Sequence, residues 1–381
     1  MVPQLYSIHG WAAQQGTEAM AALFGVHLLA AAVFMLGRWV RVSGLVSWLL
    51  LLSLQAYNPW LDEGGDTLLR MLFFWALFLP LRGRGPWRGL PATALLVQVV
   101  LVYLCAGLFK LEGPWLSGDA VADVMGNHVF ATAAGRALLP HPVLLRVLTY
   151  ATLLLEIAGP LLLLVGFRHR RLRLGLIACF LAFHLSTAVT MHLGLFPLVS
   201  MVAWLPFVPV PGPEQRAIAT TSALRDTAVV ALLVYVILWN VRSLAPSLPG
   251  LPRELDVVGR TLRISQQWGL FLSTRFLDAW PTVVAERQDG SRTELVPYRI
   301  EESREIDACR VPRSASEAYG GVRWRKLLAN VVAHRDAWVR DAYLDWVCRA
   351  SPEALRSVEL MRSGPQACAS VVLERHECAP R

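Results

Sequence analysis

The chain is 381 residues long, 55% hydrophobic and only 17% charged, with a formal net charge of +8. Soluble globular chains carry about 25% charged residues, and here the shortage is uneven: residues 1–244 hold 16 Lys+Arg and 10 Asp+Glu, residues 245–381 hold 20 and 18. That excludes a single water-soluble enzyme and a bundle wholly embedded in lipid. Most of the net charge lies in the apolar part, where it reads as topology, and no basic stripe with interleaved aromatics points to nucleic acid.

A bilayer core requires about 20 mostly apolar residues per helix. In chain order the candidate spans are 19–37, 43–57, 66–81, 91–109, 143–167, 173–192, 194–209 and 225–244. The second and seventh are short, and Pro197, Pro206 and Pro209 suggest that the seventh is broken or tilted. The predicted fold is therefore an all-α polytopic membrane bundle of seven or eight transmembrane helices over residues 1–244. A small α+β extracytoplasmic domain over residues 245–381 follows it.

Arginine sets the orientation. RWVR (38–41), RGRGPWR (82–88) and RHRRLR (168–173) carry nine Arg between spans 1–2, 3–4 and 5–6, whereas loop 58–66 has three acids and no base. The positive-inside rule makes the Arg loops cytoplasmic. The expected location is a plasma (bacterial inner) membrane, crossed several times, with residues 245–381 outside. No Lys or Arg precedes Arg38, so the start lacks a signal-peptide n-region. Two readings stand: a missing first span, or direct insertion of a short uncharged tail.

Cys105 and Cys179 fall in predicted spans and read as free thiols. Cys309, Cys348, Cys368 and Cys378 lie in the external part, where an oxidising compartment favours two disulfides in one of three pairings. The alternative is four unpaired buried thiols. In the same region residues 252–268 are helical in pattern. Two β-rich runs flank Asp289-Gly290, a favoured hairpin turn. Residues 316–350 read as helix, and 357–361 and 369–374 as strands. No nucleophile elbow, phosphate loop or metal-ligand spacing occurs there, so this part reads as a cap or recognition domain.

Ionisable residues inside spans are costly and are functional candidates. Lys110 ends the fourth span and is one of only two lysines among 36 basic residues. A desolvated lysine can act as a base, which an arginine cannot; the bland reading, snorkelling to the interface, is favoured by position alone. Glu156 lies mid-span among leucines, with a partner cation, a proton-carrying role or a structural hydrogen bond all open. His184 and His192, eight residues apart, could share a cavity at different depths. His27 reads as structural. Asp66 and Arg70 are spaced to pair.

The segment YLCAGLFKLEGPWLSG resembles the core motif of vitamin K-dependent γ-carboxylases and their bacterial relatives, the HTTM (horizontally transferred transmembrane) proteins. The match runs through Ala106, Gly107, Lys110, Leu111, Trp115 and Gly118. Further matches are Glu156 in an apolar helix, Phe183, His184, Gly194 and Phe196, then Asn58, Gly65, Asp66, Arg70 and Pro80, and the QQWGLF segment at 266–271. The resemblance covers roughly residues 5–300.

It implies a lysine base at Lys110 acting on a lipid-soluble hydroquinone such as vitamin K, with Glu156 and His184 as further catalytic candidates. Trp115, His192 and Asn58 are the implied cofactor-binding residues, and no metal is implied. Two departures matter. The family's His near residues 56–60 is replaced by AYNPW, and residues 245–381 are too few for the large substrate-holding luminal domain. Family members also carry one more helix before the segment that begins this chain, which supports the missing-span reading. The expected partners are the lipid bilayer and a protein or small-molecule substrate of unknown identity. The rival reading is a non-enzymatic membrane scaffold, binding or assembly protein. A transporter ranks third, because no inverted repeat is visible.

Overall fold

The computed structural model describes residues 7–80, 89–127, 129–209, 222–272, 280–307, 309–312, 314–333, 336–364 and 370–379. They fall into two compact units. One holds residues up to 120, 143–188 and 194–272; the other holds 121–142, 189–193 and the residues from 280 onward.

The first unit is helical. It contains α1 (Ile8–Gln15), α2 (Thr17–Met35), α3 (Val40–Tyr57), α4 (Gly64–Ala76), α5 (Leu90–Phe109) and α6 (Pro114–Ser117). After α7 (Ala120–Gly126) and α8 (Ala133–Arg136), which the chain threads through the second unit, come α9 (Pro142–Val165), α10 (Arg170–Thr190), α11 (Phe196–Trp204), α12 (Ala223–Leu244) and α13 (Arg253–Thr261). Its core gathers Trp48, Trp75, Tyr103, Phe180, Trp204 and Trp268. Outward-facing Leu28, Val143, Leu154 and Val165 stay exposed, as a lipid-facing surface requires.

Among the described residues six helices are long and apolar enough to cross a membrane: α2, α3, α5, α9, α10 and α12. The chain is an integral membrane protein, and six long helices stand where seven or eight spans are expected, a count they do not confirm. The third expected span stops as α4 at Ala76, because Pro80 has no N–H to give the Ala76 carbonyl. The last residues close as tight turns instead, Phe78 N–H to the Trp75 carbonyl and Leu79 N–H to the Ala76 carbonyl. The seventh is cut to α11 plus a 3-10 turn over Pro206 (Leu205–Phe207). The arginine loop 82–88 lies outside the described residues.

The expected helix over 252–268 ends at Thr261. Arg263 then takes a left-handed φ of 50°, and the chain runs on without helix, burying alternate residues Ile264, Gln266 and Trp268. That period of two is the signature of extended backbone. Gln266 Nε2 and Oε1 face Gln98 in α5, and the Trp268 and Trp75 indoles each donate to one of the two amide oxygens. The sequence boundary at 244/245 follows the drop in hydropathy, whereas the helical unit continues past it, because this segment belongs to its core.

The second unit is α+β. Its antiparallel sheet has the order β3-β2-β1-β4-β5, from β1 (Trp280–Arg287), β2 (Arg292–Val296), β3 (Arg299–Arg304), β4 (Leu355–Ser363) and β5 (Ser370–Glu377). β1 and β2 form the hairpin expected around Asp289-Gly290, with Val283 opposite Leu295 and Glu286 opposite Arg292. Gly290 has φ +83° and Asp289 Oδ1 accepts the Ser291 N–H, the local chemistry of that turn. The helix expected over 316–350 is three: α14 (Ala315–Tyr319), α15 (Val322–Ala333) and α16 (Ala337–Ala350). Cys348 in α16 is bonded to Cys378 after β5. Cys309 is also disulfide-bonded, while Cys368 lies outside the described residues. Cys105 and Cys179 are free.

Candidate active site in the helical unit

Lys110 caps α5, its N–H bonded to the Gly107 carbonyl. The chain then turns at Gly113 (φ +54°), and Pro114 starts α6. This folds Trp115 back, with its indole N–H on the Phe271 carbonyl at 2.8 Å and its ring 5.1 Å from Lys110 Nζ, a cation–π distance. Lys110 is 2% exposed. It therefore does not snorkel; its ammonium points into the protein and meets Glu156 Oε2 at 2.6 Å.

Two small features of the chain make that meeting possible. A Cβ on Gly107 would lie 2.6 Å from Ile157 Cγ1 and 3.2 Å from the Glu156 backbone carbon, so only glycine lets α5 and α9 approach this closely. Pro160 lies inside α9, four residues after Glu156. It cannot donate to the Glu156 carbonyl, so the helix ladder is interrupted where the acid stands. Glu156, 6% exposed, has lost water on all sides. A buried ion pair is kept only when geometry and hydrogen bonding offset the loss of hydration.

Two turns before Lys110, on the same face of α5, is Tyr103. Its hydroxyl is 2.6 Å from His184 Nε2 and accepts the Trp204 indole N–H at 2.9 Å. Phe180 stacks on Trp204 at 4.1 Å and packs on Tyr103 at 4.5 Å. His184 is 1% exposed, and its Nδ1 has no hydrogen-bond partner among the described residues. Tyr103 and Trp204 escaped the sequence reading. The seven-residue step from Tyr103 to Lys110, which returns to one helix face, was the signal for the first; nothing in the sequence marks the second.

Other expected residues stand elsewhere. Asn58 is a turn cap, its Oδ1 accepting the Trp60 N–H. Arg70 feels the charge of the expected Asp66 and has further partners. It donates to the Arg263 carbonyl at 2.8 Å and to Gln55, and lies 4.0 Å from Asp62, which also pairs with Arg263 at 2.6 Å. Asp66 accepts the Glu63 N–H as a helix cap.

His192 belongs to the second unit. It acts there through its backbone, its N–H donating to the Phe130 carbonyl and its own carbonyl accepting from the Arg325 guanidinium, both at 2.7 Å. Burial, then the Arg325 and Arg136 cations, hold its ring below the usual histidine range, so it is neutral at pH 7.

The helical unit is thus that of a multi-pass membrane protein with a buried cation–carboxylate pair and an adjoining Tyr–His–Trp cluster. Residues 89–210 match the family model described as HTTM domain. Lys110, Trp115, Glu156 and His184 all fall inside the matched residues. No curated protein and no solved structure matches the chain.

Proposed function

We propose that the protein is a membrane enzyme of the γ-carboxylase-like kind, in which Lys110 is the base toward the hydroxyl of a lipid-soluble hydroquinone. The observation that carries this reading is the buried 2.6 Å contact of Lys110 Nζ with Glu156 Oε2. Moving one proton across that contact turns ammonium and carboxylate into amine and carboxylic acid. Lys110 can thus present a lone pair while Glu156 holds the proton, and two charges become none where water is excluded. Trp115 covers the pair, and Gly107 keeps the two helices close enough to preserve it. The unpartnered His184 nitrogen among aromatic rings suits a planar, oxygen-bearing ring. A bound hydroquinone would supply the acidic hydroxyl. Because AYNPW carries no His and the external part is small, hydroquinone oxidation is proposed here, and carboxylation of a protein is not.

The purified protein in lipid nanodiscs should oxidise a naphthohydroquinone under dioxygen faster than empty discs do. Lys110→Arg should abolish that excess, because arginine stays protonated. Full activity in the Arg variant would sink the lysine base. The non-enzymatic scaffold reading, supported by the mutual neutralisation of Lys110 and Glu156, would then lead.

Connectivity supports an external second unit. α9 starts from segment 121–142 and α10 ends at 189–193, both in that unit. RHRRLR joins the opposite ends of these two helices, and positive-inside bias places it in the cytoplasm. A reporter that works only in the cytoplasm, fused after Arg381, should be silent; strong signal there would reverse the orientation.

A further inference from the structure

We propose that Trp115 and Phe271 form a gate over Lys110, shut in this structure, which opens when the hydrogen bond from the Trp115 indole to the Phe271 carbonyl breaks. The inference rests on the Lys110 reading for what the opening admits. It goes beyond that reading in saying how so enclosed a group is reached and which residues control the way in.

Lys110 is 2% exposed and Glu156 6%, so no reactant meets the pair unless a neighbour moves. The Trp115 ring lies 5.1 Å from Lys110 Nζ and is itself buried. It packs with Ala120 and Leu153, and Phe271 lies against that group. Its N–H donates to the Phe271 carbonyl at 2.8 Å, across 156 residues of chain. An indole has only that one donor, so this bond is its whole polar tether. One neutral hydrogen bond costs far less to break than the close packing of α5 on α9 around Gly107.

The segment that carries Phe271 is built as a fixed stem with a movable tip. Ile264, Gln266 and Trp268 are buried, and the Gln98 amide clasps the Gln266 amide through two hydrogen bonds, at 2.7 and 3.2 Å. Beyond Trp268 the burial falls, and Gly269, Leu270 and Phe271 are half-buried. The Leu270 N–H turns back to the Trp268 carbonyl at 2.8 Å, a tight turn centred on Gly269. A Cβ on Gly269 would meet Phe109 and Leu272 only at 4.0 Å. The turn therefore has room around it, and glycine supplies the range of φ and ψ that a hinge uses. Phe271 has a left-handed φ of 56°. A bulky residue keeps that conformation only where its surroundings impose it, so the shut form stores strain that opening releases. Local openings of this kind arise where backbone is lightly buried beside a well-packed core.

Lys110 reports on the gate directly, because the chain has only one other lysine, Lys326 in α15. The full chain in nanodiscs is acetylated with a water-soluble succinimidyl ester, and both lysines are followed by mass spectrometry. Lys110 should label much more slowly than Lys326. Trp115→Phe keeps an aromatic cover and removes the N–H, and should speed Lys110 labelling about fivefold, the value of one hydrogen bond, with Lys326 unchanged. Trp75→Phe removes an indole donor to Gln98 in the core and should leave Lys110 as in the wild type. Fast labelling of wild-type Lys110, no gain in Trp115→Phe, or the same gain in Trp75→Phe overturns the gate. Should a variant not fold, amide exchange in the wild type decides. The Leu270 N–H on the tip must exchange well before the Ile264 N–H on the stem, which is bonded to the Gly259 carbonyl at 3.0 Å; equal protection refutes a movable tip. These readouts need no turnover, so a failed lysine base leaves them unchanged and the two readings fail separately.

Discussion

Lys110→Met and Glu156→Leu should each destabilise the helical unit by about 3–5 kcal/mol, the usual cost of orphaning one member of a buried ion pair. The double variant should recover most of the loss, because two apolar side chains of similar volume leave no charge unanswered. A double-mutant cycle on the unfolding of the nanodisc protein reads the coupling directly. Acid should partly rescue Lys110→Met, since protonation neutralises the orphaned carboxylate, whereas raised pH should partly rescue Glu156→Leu. Additive single effects would show that the 2.6 Å contact contributes nothing. The same experiment bears on function. A pair kept only for stability is dispensable in the double variant, whereas hydroquinone oxidation must be lost in it even when the fold returns.

Removing the Cys348–Cys378 bond should cost the second unit about 3–4 kcal/mol, from the loop entropy released by a bridge between residues 30 apart. For a domain near 100 residues that is a fall of roughly 15 °C in melting temperature. The bond joins the end of α16 to the end of β5, an edge strand of the sheet with one strand neighbour. Cys348→Ser should therefore loosen β5 first, seen as faster amide exchange along Ser370–Glu377. In the untreated, denatured wild type, Cys348 and Cys378 should resist alkylation until reduced. Ready labelling of both would remove the bond and, with it, one support for an oxidising external compartment.

Composition and patterning determined much about this protein without any coordinates. The charge deficit before residue 245 marked the membrane part, and apolar length located α2, α3, α5, α9, α10 and α12. Asp289-Gly290 located the first hairpin, because the positive φ that Gly290 supplies at the turn is a local property. Lys110 and Glu156 stood out one at a time, since a charge in a hydrocarbon-length apolar run is conspicuous by itself. Their meeting was not legible. It depends on Gly107 and Pro160 acting across two helices 46 residues apart, and no periodicity reports which faces turn toward each other.

The third and seventh expected spans form shorter helices than their apolar runs for a related reason: hydropathy windows sum apolar residues and ignore that Pro80 and Pro206 end the hydrogen-bond ladder. Asn58 went to a turn cap, and His192 to backbone bonds in the other unit. The segment from Arg263 to Trp268 read as helix and is instead non-helical and part of the bundle core, where Gln98, 168 residues away in the chain, answers Gln266. Local sequence determines which elements can form and which residues are costly to bury. The partner that offsets each cost is chosen by packing between distant segments, and only the tertiary structure decided that.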